Sequence, residues 1–175
     1  MNNKKKLMRA IMSHNELGAL IPLALILIIV AFVNPNFFGA ANLIDILRTA
    51  SFSFFIGVPL TYLLTASGMD LSVGSTLSLA GVIVAYAIAG GWNMWLAILA
   101  ALLVGALVGW VNGVIIVRFG QPAFIITLGM QYILSGIALL WTGGLAVSGM
   151  NAEFKALGQT YLFDTVPVPI LYALI

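Results

Sequence analysis

Between Arg48 and Arg118 the chain carries a single charged side chain, Asp70. The rest of that stretch is aliphatic, aromatic, small or hydroxylated, and the mean hydropathy of the whole chain is +1.14. Among 175 residues there are seven Lys and Arg and five Asp and Glu, against 62% hydrophobic residues. A soluble domain of this length has no interior large enough to take so much apolar side chain out of water, so the sequence reads as an integral membrane protein. In hydrocarbon every backbone N–H and C=O must be satisfied within the protein. Long apolar runs meet that demand as helices, and the fold class read from them is all-α, a polytopic transmembrane bundle.

A helix needs about 20 apolar residues to cross a bilayer. Runs close to that length are Leu17–Val33, Ala50–Ser67, Leu71–Ala89, Met94–Val117 and Ala123–Trp141, which gives about five spans. A sixth begins near Val166 in "VPVPILYALI", too short a stretch to cross, so the sequence is expected to be the first part of a longer protein. Residues 1–16 read as a cytoplasmic N-terminal segment and 17–175 as the membrane domain. The N-terminus resembles a secretory signal, but its apolar run exceeds the roughly 7–15 residues of a signal core, so a retained helix is expected.

Placing the N-terminus inside puts Lys4, Lys5, Lys6, Arg9 and Arg118 in the cytoplasm and Arg48 and Lys155 outside. That arrangement satisfies the positive-inside tendency and its reverse does not. Trp92, Trp95 and Trp141 then lie near outer ends, where indoles favour the interface. In the outer segment "NPNFFGAANLIDILRT", Pro35 bars helix continuation and Asn42 suits the N-cap of a helix starting at Leu43. Phe37, Phe38, Leu43, Ile46 and Leu47 suit a piece lying at the interface, although an ordinary connector fits equally.

In the fourth run, Ala97, Ala101, Gly105, Gly109 and Gly113 recur every four residues. One small residue per turn makes a ridge on which another helix can pack closely. Asn112, beside that ridge, is expected to make an interhelical hydrogen bond. The second run carries Thr61 and Thr65 on one face with Pro59 nearby, and the fifth carries Thr127 and Gln131, followed by Ser135 and Gly136. Ser72, Ser75, Thr76 and Ser78 make the start of the third run polar. Together these suggest a water-filled route between the second, third and fifth helices.

Asp70 lies in "SGMDLSVGS". An aspartate at the centre of a membrane helix costs about 2.5–3.5 kcal/mol on insertion scales. Three readings fit. It sits at the inner surface between two spans; or Ser67 and Asp70 form an S-x-x-D capping box; or Ser67, Gly68, Asp70, Ser72, Gly74 and Ser75 form a helix break that lines the translocation path. Absences exclude other classes. There is no phosphate-binding glycine loop, no cysteine, and one histidine, His14, in the basic N-terminal segment. No metal or nucleophilic centre is expected, so catalysis by this chain is not.

"NPNFFGAANLIDILR", "SGMDLSVGSTLSLAG" and "QPAFIITLGMQYILSGIALLWTGG", in this order, resemble the inner-membrane permeases of bacterial ribose-type ABC sugar importers. The resemblance implies the N-terminal half of a permease subunit in the bacterial plasma membrane, carrying a small sugar or related polyol. It implies a second permease copy, the same or different, a solute-binding protein docking outside, and an ATPase subunit inside that binds the ATP. No cofactor is expected on this chain. The alternative from another class is an ion-coupled secondary transporter with Asp70 as coupling acid.

Overall fold

The computed structural model describes residues 15–162 and 166–174. Lys4, Lys5, Lys6, Arg9 and His14, and with them most of the segment 1–16, lie outside the described residues. The chain divides into two compact units, Met1–Leu47 and Arg48–Ile175.

In the first unit, α1 spans Asn15–Val33. Pro22 lies inside it and has no N–H to offer the Gly18 carbonyl. The helix ends in a tight reversal in which the Asn34 side chain accepts from the Asn36 amide at 3.1 Å and Asn36 O accepts from Gly39 N at 2.9 Å. A Cβ on Gly39 would lie 3.0 Å from that same carbonyl, so glycine is what the turn allows. The next helix, α2, runs unbroken over Ala40–Thr65. This corrects the expected cap at Asn42 and the separate interfacial piece from Leu43. Gly39 O takes the first helical bond, from Leu43 N, and Asn42 sits inside the helix with its side-chain amide donating to Phe37 O at 2.7 Å.

The second unit holds the remainder of α2, then α3 (Val73–Ala89), α4 (Met94–Phe119), α5 (Ala123–Thr142) and α6 (Ala152–Gln159). A two-residue hairpin pairs β1 (Tyr161–Leu162) with β2 (Val166–Pro167) in antiparallel register, and α7 (Val168–Leu174) follows. The apolar runs set these bounds, and each expected run has a helix over it. Among the described residues three helices, α2, α4 and α5, are long and apolar enough to cross a membrane, while α3, at 17 residues, is shorter.

α2 ends in a Schellman motif. Ser67 is left-handed at φ 58°, its amide bonds Leu64 O, and Gly68 N bonds Leu63 O at 2.9 Å. Glycine follows, and a Cβ there would lie 2.8 Å from Leu63 Cδ1 and 3.2 Å from the Leu63 carbonyl oxygen, so a larger residue would have to shift the Leu63 side chain. α3 ends the same way at Gly91, and Asn93 then caps α4 by accepting from Trp95 N at 2.9 Å. The α3–α4 connection is therefore a four-residue turn with both helix ends satisfied.

α3 packs against both α4 and α5. Leu79, Val108, Leu134 and Ala138 form one buried cluster joining all three helices. Val84, Ile88, Ala97 and Ala101 form a second, with Phe154 of α6 packed on it. The small ridge of α4 is used unevenly. Ala97 is fully buried, and a Cβ on Gly105 would sit 3.9 Å from Thr76 Cγ2, whereas Cβ atoms on Gly109 and Gly113 would meet nothing within 4 Å. Gly113→Ala is therefore expected to raise the melting temperature in detergent slightly, by the roughly 0.5–1 kcal/mol that separates alanine from glycine in a helix. A lowered melting temperature would mean that another helix packs on this part of the ridge.

Away from these clusters large apolar side chains point outward, as Leu102 at 65% and Leu140 at 85% exposure do. That distribution suits hydrocarbon and not water. Arg48 ties α2 to α6 by donating to Gly158 O at 2.6 Å. The two outer positions assigned from charge, Arg48 and the segment carrying Lys155, thus lie at one end of this unit.

Candidate functional site

Asp70 stands three residues before α3 and is half-buried. One carboxylate oxygen accepts from Ser72 N at 2.7 Å and from Ser72 Oγ at 2.6 Å. That is an aspartate holding the amide and hydroxyl two residues on, the local bond that favours Asp in turns. Ser72, fully buried, is the residue before α3, and its carbonyl accepts from Thr76 N, Thr76 Oγ1 and Ser75 Oγ, each at 2.8 Å. Its hydroxyl also accepts from Asn112 Nδ2 of α4 at 3.0 Å. A relay therefore runs from Asn112 through Ser72 to Asp70, and each donor finds an acceptor in low-dielectric surroundings. Asn112 Oδ1 is buried without a partner.

This geometry corrects the capping box. Ser67 belongs to the end of α2 and caps no helix. The carboxylate fixes Ser72, and Ser72 makes no side-chain cap of its own. The expected interhelical bond from Asn112 is present, and its partner, Ser72, was not foreseen.

Two clefts flank α3. The larger, about 940 Å³, runs between α2 on one side and α3 and α4 on the other, with Asp70 and Thr76 on its lining near the start of α3 and Phe154 near its end. Its α2 wall is Phe55, Ile56, Pro59, Leu60 and Leu63, so Thr61 and Thr65 lie outside it, bonded back to Gly57 O and Tyr62 O. Asp70 is the only ionisable side chain on that lining. Gly105 and Gly109 of the ridge also line it. The smaller cleft, about 600 Å³, lies between α3 and α5 under the segment that follows α5, with Ser78, Ser135 and Thr142 on its walls. Thr127 is buried with its hydroxyl on Ala123 O, and neither it nor Gln131 lines either cleft. Gly74 would meet nothing within 4 Å if it carried a Cβ. Tyr86 stacks on Trp141 at 5.9 Å and donates to its carbonyl, closing α3 onto α5 beyond the smaller cleft. The described residues contain no group of His, Cys, Asp and Glu able to hold a metal ion.

A family model described as "Branched-chain amino acid transport system / permease component" matches residues 42–167, which takes in α3, α4 and α5 and both clefts. The chain belongs to this permease family. Membership makes the chain part of a membrane permease component. Within the family it is similar to the ribose import permease protein RbsC of Haemophilus influenzae, 36% identical over 159 residues, which are 89% of this chain and 49% of that protein. RbsC of Escherichia coli K12 is 39% identical over 133 residues, 76% of this chain and 41% of the relative. The autoinducer 2 import system permease protein LsrC of Escherichia coli SMS-3-5 is 29% identical over 157 residues, 90% and 46% of the two chains. The permease chain spans about half the length of the curated relatives it matches. No solved structure matches it. A ribose-type permease is thereby supported, and nothing in these relatives supports the ion-coupled alternative.

Proposed function

We propose that this chain forms part of the translocation path of an ATP-driven importer for a small sugar or related polyol. The observation that carries the reading is the 36% identity to a ribose import permease along 89% of the chain. The full subunit would work in the bacterial plasma membrane beside a second permease copy, with a solute-binding protein outside and an ATPase inside that binds and hydrolyses ATP. Five helices, α1 to α5, would cross the bilayer with the N-terminus inside, α3 being carried across by its packing on α4 and α5. α7 would open a sixth span.

The path would run along α3. The left-handed Ser67, Gly68 and the Asp70–Ser72 turn would hold the chain reversal at its inner end, with Gly74 and Ser75 in the first turn. Thr61, Thr65, Thr127 and Gln131 remain candidate path residues from the sequence; the first three spend their hydroxyls on their own helices, so any role there would fall to side-chain shape. The alanines and glycines of α4 serve packing.

The test uses the full-length protein with its ATPase and binding protein in proteoliposomes. Labelled D-ribose should enter only with ATP on the ATPase side and should ignore imposed proton or sodium gradients. Uptake driven by a gradient without ATP would overturn the reading.

A further inference from the structure

A hydroxyl inside a helix ordinarily bonds to a carbonyl three or four residues back, which satisfies it at no cost in contacts elsewhere. In this chain Thr61, Thr65, Ser75, Thr76, Thr127 and Thr142 all do so. Among the described helices Ser78 of α3 and Ser135 of α5 are the exceptions: both are exposed, neither hydroxyl has a partner among the described residues, and both line the smaller cleft. Two helices thus turn their free hydroxyls into one space.

That space has the size and composition of a ligand site. Its roughly 600 Å³ falls within the 300–1,000 Å³ or so common for small-molecule pockets. Besides the hydroxyls its lining is aliphatic, with Val82, Leu139 and Met150 among it, and it includes no ionisable side chain. A serine hydroxyl both donates and accepts, as the hydroxyls of a polyol do. The C–H faces of such a molecule suit the aliphatic walls. An amino acid would bring an ammonium and a carboxylate into a place with no countercharge, and their lost hydration would go uncompensated.

We propose that the cleft between α3 and α5 binds a neutral polyhydroxylated solute, with Ser78 and Ser135 as its hydrogen-bonding groups, and that it discriminates against amino acids. The proposal rests on the importer reading and adds to it a place for the solute and a physical ground for refusing charged ones.

The 175 residues contain no cysteine, so Ser78→Cys and Ser135→Cys each introduce a single addressable thiol here. The assembled complex in proteoliposomes, with the protein lacking either substitution as control, is first assayed for ATP-driven D-ribose uptake. It is then treated with a membrane-impermeant thiol reagent. Both thiols should react, and D-ribose at four times its Kd should slow the reaction about fivefold, the factor 1 + [L]/Kd. Leucine at the same concentration should leave the rate unchanged. Thiols that do not react, a rate that D-ribose leaves unaltered, or equal protection by leucine would each overturn the assignment. Unsubstituted complex that takes up no D-ribose with ATP would instead sink the importer reading, while protection of the thiols would still decide whether the cleft binds the sugar.

Discussion

Asp70→Ala should destabilise the protein by about 2–3 kcal/mol, because it strands a fully buried Ser72 amide and removes a charged acceptor from the Ser72 hydroxyl. Asp70→Asn should cost far less, since its side-chain oxygen can still accept from both groups. Melting temperatures of the two variants in detergent, set against D-ribose uptake, separate structure from charge. The asparagine variant should melt close to the parent and keep its uptake. If it melted like the parent yet transported nothing, the negative charge itself would be in use and the structural role assigned to Asp70 would be insufficient.

The second large effect is expected at Ala97. Its side chain has no exposed surface and faces the α3 cluster of Val84 and Ile88. Ala97→Leu would have to part α3 from α4, at a cost of about 1–3 kcal/mol for overpacking a filled site. A melting temperature equal to that of the parent would show that the contact yields and that α4 does not depend on its small residues there. Gly113→Ala, on the open part of the same ridge, is the internal comparison. The contrast between them tests whether the ridge is one continuous seam or half of one.

The sequence located α3, α4 and α5 within a few residues, since hydropathy alone marks where a backbone must satisfy itself in lipid; α6, short and polar, lay in a stretch read as a connection. The errors arose where short polar motifs admit several local geometries. Asn42 has the right type for an N-cap, but so does an interior asparagine that donates to the carbonyl of Phe37. Ser67 and Asp70 have capping-box spacing, yet Ser67 had already been taken by the end of α2, and only the backbone shows which helix claims it. The bond from Asn112 was legible because a polar side chain beside a small-residue ridge has few other places to go. Ser78 and Ser135 were read among the polar residues of a water-filled route, but were not set apart from the other hydroxyls there. Sequence cannot tell a hydroxyl that bonds back to its own helix from one that does not.

The four-residue turn between α3 and α4 bears on how the protein is made. α3 has 17 residues, about 25 Å at 1.5 Å per residue, short of the roughly 30 Å of hydrocarbon. It also begins beside an aspartate and several hydroxyls, which makes it a poor substrate for the insertion machinery on its own. With both ends of the turn already satisfied, α3 and the 26 residues of α4 can partition into the bilayer together as a hairpin. Asn112 then arrives as the partner of Ser72. The polar start of α3 is bonded to a residue synthesised 40 positions later, so if α3 crosses the bilayer as proposed, delayed, pairwise insertion is expected over the release of one helix at a time.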